Sequence, residues 1–338
     1  MALVVVVAGC SGGNDAGESP EIRAGWQYTY DMPLNLVRKL NLVDPKDGVV
    51  SWTRFESGPA IFPALSNGDI DVAMMGAGAA ITAMSNGLEV SIVGVSQVIS
   101  ANEGLVTRPD SGIADARGLR GKKIGVTVGS SGYLGLINLL EANGMTIEDV
   151  TVVNIGFAQT VPAFSSGDID AAFIPEPYRA RLIEDGGRML TTTADIGSVP
   201  AEMASTTVWI ARNEFVKSNP RGLAAFLQAN ERGRAMWEQG DRDVDGVLAA
   251  VAGELETTVE KARTLARAVE FPSVPQLLSA EKFYSFGPGA AADSNLVRSL
   301  TELAEVQVGF GQLKSVPSIA DFVDVQAMQE LGRATKSG

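Results

Sequence analysis

The pattern of apolar and polar positions is irregular over the first twenty residues and orderly from residue 21 onward. Short apolar runs of four to seven residues recur, and each is followed by glycine, proline or small polar residues and then by a helical period. One pattern occurs twice. Ala64-Leu65-Ser66-Asn67-Gly68-Asp69-Ile70-Asp71-Val72-Ala73-Met74-Met75 is echoed by Ala163-Phe164-Ser165-Ser166-Gly167-Asp168-Ile169-Asp170-Ala171-Ala172-Phe173-Ile174, with Asp69 and Asp168 99 residues apart. Each copy reads as a helix end, a glycine in the left-handed conformation that closes it, an Asp-Ile-Asp turn, and a strand apolar on successive positions. Asp69 and Asp168 are read as turn residues rather than as ligands. Two similar units predict two similar α/β lobes, with ligands beyond the carboxyl ends of the strands.

Strands are expected over residues 22–26, 49–55, 72–75, 90–96, 103–107, 124–128, 150–155, 171–174 and 206–211. Helices are expected from Pro33, over 57–66 with Ser57 as N-cap, 134–142, 157–164, and from Tyr178 through Arg188. Residues 76–80 read as a small-residue turn. After residue 211 the chain is mostly helical, over 219–238, 242–254, 259–267, 279–283, 294–310 and 321–331. The strands at 103–107 and 206–211 are read as the two connections between lobes, a hinge that permits closure. The expected division is a tether over 1–20, a first lobe over 21–108 and 206–338, and a second lobe over 109–205.

Composition narrows the chemistry. The 338 residues carry a formal net charge of −13, which disfavours a nucleic-acid partner. The chain has no histidine and one cysteine, which removes Ser-His-Asp and Cys-His catalysis and most zinc sites. No cofactor and no metal are expected. Strand, Gly129-Ser130-Ser131-Gly132-Tyr133, helix is an arrangement that gathers anions at a helix start, and it lacks the Lys-Ser/Thr of a P-loop. The same serines also serve as plain helix caps. Trp209 reads as core.

The N-terminus ends an apolar run with Val7-Ala8-Gly9-Cys10, followed by small polar residues. This resembles the end of a bacterial lipoprotein signal, which implies lipidation of Cys10 and a membrane-anchored protein outside the cytoplasm. The run is short and lacks an opening basic stretch, so the true start of translation is expected upstream.

Further motifs carry a resemblance. Trp52-Thr53-Arg54-Phe55-Glu56-Ser57-Gly58, the 64–71 tract, Asn102-Glu103, Ser130-Ser131, Val153-Asn154, Gly167-Asp168-Ile169-Asp170 and Val208-Trp209 resemble, in order, the substrate-binding proteins of taurine ABC importers, within the nitrate, sulfonate and bicarbonate group. The resemblance spans roughly residues 21 to 325. It implies an α/β, two-lobed periplasmic-binding-protein fold of type II, with C-terminal helices packed on the first lobe. It further implies a monomer that delivers a small organosulfonate, taurine first, to an ABC transporter permease. The implied ligand-binding residues are Gln27, Tyr28, Ser57, Gly58, Ala77, Gly78, Asn102, Ser130, Ser131, Tyr133, Glu176 and Thr207, with the sulfonate on hydroxyl and backbone donors and no arginine required. Where taurine binders carry an acid two positions before the tryptophan of the returning strand, this chain has Thr207. Glu176, Asp31 and Glu103 are the candidates to receive an amine instead. The alternatives are an amine-free sulfonate, a carboxylate or a pyrimidine-type ligand, and an enzyme acting on a small anionic metabolite.

Overall fold

The computed structural model describes residues 20–337 apart from Tyr28, so the expected lipidation of Cys10 and the expected ligand contact of Tyr28 lie outside the described residues. Among the described residues, ten strands form two five-stranded sheets. They are β1 (Glu21–Gln27), β2 (Val49–Phe55), β3 (Val72–Gly76), β4 (Val90–Val98), β5 (Glu103–Thr107), β6 (Lys123–Val126), β7 (Thr151–Asn154), β8 (Ala171–Pro175), β9 (Arg188–Thr192) and β10 (Thr206–Arg212). The first sheet has the order β2-β1-β3-β10-β4 and the second β7-β6-β8-β5-β9. In each, the three leading strands run parallel and one antiparallel strand, β10 or β5, pairs with the strand of the repeat. This is the two-lobed α/β fold expected.

β5 is an interior strand of the second sheet, between β8 and β9. The first crossover therefore precedes Glu103 instead of following Thr107, where the sequence placed it. The crossovers touch, the Ile99 N–H donating to the Ser205 carbonyl at 2.9 Å. The helix expected from Tyr178 through Arg188 stops at Glu184, and β9, which the sequence reading lacked, begins at Arg188. Gly186 and Gly187 end that helix, and Gly187 packs so closely on Val106 and Phe164 that a Cβ there would clash. Residues 76–80 are not a turn. Gly76 caps a helix, Ala77–Ser85, whose alanines are buried under the first sheet. The helix expected over 279–283 is absent, and a short one forms at Val274–Leu277 instead, held by the capping box of Ser273 and Gln276.

The two repeat turns are built alike. Gly68 (φ +75°) and Gly167 (φ +86°) each lie under an arginine, Arg212 at the end of β10 and Arg108 just after β5. Asp71 and Asp170 each accept a backbone N–H from the middle of the three parallel strands of their sheet, β1 and β6, from Arg23 at 3.1 Å and Lys123 at 2.8 Å. Asp71 takes more. Arg23 grips it through Nε at 2.9 Å and Nη2 at 2.5 Å, and Arg212 adds a contact at 3.3 Å. Burial works against the Asp71 carboxylate, yet these bonds hold it below the usual range.

The C-terminal helices pack on the first sheet. Helix Pro220–Gln239 lies along helix Met32–Leu40, and its Phe226 meets Trp209 edge-on at 5.0 Å. Trp209 is thus core, as read from the sequence. Helix Asn295–Gly309 anchors the start of helix Ala77–Ser85, Gln307 Nε2 donating to the Gly78 carbonyl at 3.1 Å.

Asp71→Ala is expected to cost about 2 kcal/mol, because it removes from a buried carboxylate the bonds of the Arg23 backbone N–H and of two partly exposed guanidinium groups. Asp170→Ala, which loses one backbone bond near solvent, should cost about 1 kcal/mol. Equal losses in urea unfolding would mean that the arginines contribute nothing.

Candidate functional site

The carboxyl ends of the parallel strands of both sheets face a cavity of about 240 Å³. From the first sheet come Gln27 at the end of β1, Arg54 and Phe55 at the end of β2, Gly58 at the following helix start, and Gly76 and Thr207 side by side on β3 and β10. From the second come Ser130 and Ser131 at the start of helix Ser131–Ala142, then Pro175 and Glu176 after β8. Phe157 and Tyr178, with rings 5.8 Å apart, form an aromatic wall. The walls nearly meet. A Cβ on Gly129 would lie 3.4 Å from Pro59, and one on Gly76 3.9 Å from Ser131.

Hydrogen bonding decides what each polar group has left to offer. Ser130 Oγ accepts the Tyr133 N–H at 3.4 Å, capping the helix. Ser131 Oγ points inward and donates to Glu103 Oε1 at 2.6 Å, and the other carboxylate oxygen accepts from Ser205 Oγ at 2.7 Å. Glu103 has no solvent exposure. Burial raises its pKa to about 6, against the pull of the two serines and Arg179. Glu176 is raised by burial too, opposed by Arg179, whose Nε reaches it at 2.9 Å, and by the Ala180 N–H at 3.0 Å. Gln27 Nε2 and Thr29 Oγ1 are buried at the cavity with no protein partner. Arg181 lines the cavity and reaches back to the Leu255 carbonyl at 3.3 Å and Glu256 at 3.2 Å, joining the second lobe to the C-terminal helices.

Of the residues expected from the sequence, the structure brings Gln27, Gly58, Ser130, Ser131, Glu176 and Thr207 to one cavity. It does not bring Ser57, Ala77, Gly78, Asn102 or Tyr133. Ser57 sits at the N-cap in extended backbone, but its hydroxyl makes no cap bond. Ala77 and Gly78 are buried in a helix, Gly78 against Leu134 of the second lobe. Asn102 turns away and donates to the Leu265 carbonyl at 2.7 Å. Tyr133 lies one turn into its helix, packed on the second lobe's core. Asp31 is also elsewhere. It caps Leu34 at 2.9 Å and accepts from Ser96 at 2.9 Å.

Sequence reasoning missed Thr29, Arg54, Glu56, Phe157 and Arg181. Arg54 and Glu56 stand at the carboxyl end of β2, the position that the strand rule favours. Two arginines, Arg54 and Arg181, stand on the cavity wall, outside the ligand set expected from the sequence.

Two lobes joined by two touching crossovers, with a cavity between the strand ends, define the periplasmic-binding architecture. The chain belongs to the NMT1/THI5-like family, whose sequence profile matches residues 57–239. It is 28% identical over 251 residues to a Bacillus subtilis protein provisionally named as aliphatic sulfonates-binding, covering 72% of this chain and 74% of that one. It is 27% identical over 180 residues to the taurine-binding periplasmic protein of Escherichia coli, covering 53% and 55%. A more distant relative, 25% identical over 215 residues and covering 60% of this chain and 61% of its own, is the 4-amino-5-hydroxymethyl-2-methylpyrimidine phosphate synthase of Schizosaccharomyces pombe. Among solved structures, the alkanesulfonate-binding protein SsuA from Xanthomonas axonopodis pv. citri, bound to MOPS, shares the fold with a TM-score of 0.75 at 19% identity, covering 91% of this chain and 99% of that one.

Asp31, like Glu103, is buried, and burial raises its pKa to about 6 in spite of the bonds from Leu34 and Ser96. Both acids bind a proton more tightly in the folded protein than in the unfolded chain. Their protonated forms stabilise the fold fully below pH 4, and this contribution is lost as pH rises through about 6. Stability should therefore be greater at pH 5 than at pH 7.5, by on the order of 2 kcal/mol. Asp31→Asn with Glu103→Gln should flatten that slope in urea titrations, and an unchanged slope would locate the titration elsewhere.

Proposed function

We propose that this protein is the extracytoplasmic receptor of an ABC importer, capturing a small organosulfonate, taurine first among them, and releasing it to a membrane permease. The observation that carries this reading is the arrangement of donors around one cavity. The Ser130-Ser131 helix start faces the unpartnered Gln27 Nε2, with Arg54 and Arg181 on the wall. A helix start offers backbone N–H groups and the positive end of its dipole to an anion. Two guanidinium groups add to that attraction. The names of the relatives point to the same ligand class. No helix among the described residues is long and apolar enough to cross a membrane, and lipidation of Cys10 is the anchor we propose. The lobes we assign are residues 21–98 with 206–338, and 103–205, with the protein acting as a monomer.

A second ligand class is favoured by one position. Thr207 puts a hydroxyl where taurine binders carry an acid, and its hydrogen goes to the Gln97 carbonyl at 3.4 Å. An amine-free sulfonate or a carboxylate would lose nothing there.

The test is thermal unfolding with taurine, ethanesulfonate, isethionate, nitrate and several amino acids. A ligand that binds only the folded state at 100 times its Kd contributes about 2.7 kcal/mol, so a rise of several degrees is expected with the sulfonates. No shift with any sulfonate overturns the reading. Ser130→Ala should weaken every sulfonate about tenfold, the size of one bond to a charged group. Unchanged affinity by calorimetry would place the anion away from this helix start.

A further inference from the structure

Neighbouring serines at one helix start are committed in opposite senses. Ser130 Oγ accepts from the backbone at 3.4 Å and has no protein acceptor among the described residues, so its hydrogen is free for the cavity. The Ser131 hydrogen is taken by Glu103 at 2.6 Å, which leaves the oxygen of Ser131 only lone pairs to present. A serine hydroxyl holds one donor and two acceptor positions, so these bonds fix which half remains. Ser130 is a donor to the cavity and Ser131 an acceptor.

From this we infer that Ser131, polarised from behind by the buried carboxylate of Glu103, is the group that receives the ammonium of an amine-bearing sulfonate. The inference rests on the sulfonate-receptor reading and names the specificity element within it. The helix start alone favours the sulfonate and repels an ammonium. The Glu103 charge lies one hydrogen bond behind Ser131 and opposes that sign locally, at a site with no solvent exposure. Taurine carries its two charges on adjacent carbons, which suits a donor and an acceptor on adjacent residues.

The other carboxylates are less suited. Glu176 is held by Arg179 and the Ala180 N–H, one bond to each oxygen. Asp31 is outside the cavity, bonded to Leu34 and Ser96. Glu56 lines the cavity from an exposed position at its rim, where solvent screens it. Glu103 itself faces Ser131 on the helix, Ser205 on the crossover and Arg179 from the next helix. Ser205 ties the same carboxylate to the hinge and fixes the side chain's position.

The experiment compares the Kd of taurine with that of ethanesulfonate by titration calorimetry at pH 7.5, on the full chain and on three variants. The ratio is unaffected by a partly unfolded sample, since both ligands see the same folded fraction. The native protein should prefer taurine. Ser131→Ala and Glu103→Gln should each weaken taurine about tenfold and leave ethanesulfonate within about twofold, while Glu56→Gln leaves the ratio unchanged. Equal losses for both ligands, an unchanged ratio in Ser131→Ala, or a ratio moved only by Glu56→Gln would overturn the assignment to Ser131. A native protein that binds ethanesulfonate as tightly as taurine also overturns it, and keeps the sulfonate reading. A native protein that binds neither overturns the reading on which the inference rests.

Discussion

Everything about the site follows from one constraint on backbone pairing: each sheet holds an interior antiparallel strand, β5 or β10, that opens directly from a crossover between the lobes. β10 pairs on both sides, with β3 and β4, and β5 pairs on both sides, with β8 and β9. Buried N–H and carbonyl groups require partners, and an interior strand withdrawn from either sheet would orphan two rows of them. The lobes therefore stay attached, and among the described residues the chain passes between them only through the residues between β4 and β5 and those before β10. The cavity lies where these crossovers leave the strand ends.

The same crossovers explain the buried polar groups nearby. Glu103 opens β5 immediately after the first crossover, and Ser205 ends the second. Their hydrogen bond, at 2.7 Å, closes the hinge with a charge-assisted contact out of water. Asn102 and Arg179 brace it further, through the Leu265 carbonyl at 2.7 Å and the Ala101 carbonyl at 2.9 Å. Asn102 was a plausible ligand from the sequence because it stands beside this junction. It faces the C-terminal helices, and its role is to hold the junction in place.

The repeat was the most legible feature. Gly68 and Gly167, the Asp-Ile-Asp turns and the apolar strands after them read the same way in sequence and in space, because local chemistry dictates them: a left-handed glycine, a carboxylate within reach of a backbone N–H, and side chains buried on both faces. Ser130 and Ser131 were legible for a related reason, since a small polar turn between strand and helix leaves free N–H groups wherever it occurs. The helix Ala77–Ser85 was hidden by its own composition. Its glycines and alanines look like a turn, and only the sheet above and Leu134 opposite make close packing worth more than the lost side chains.

The amino-acid sequence by itself determined the fold class, the duplicated unit and the helix start that offers donors to an anion, because each is written in neighbouring residues. The tertiary structure decided which side of the first crossover β5 joins, which arginines and acids reach the cavity, and what the two serines have left to give. Arg181 lines the cavity because the helix after β8 packs against it, and Ser131 is an acceptor only because Glu103, 28 residues earlier, lies behind it. A hydroxyl has no fixed polarity of its own, and its partner sets it. That partner comes from a strand whose place in the sheet no local pattern specifies.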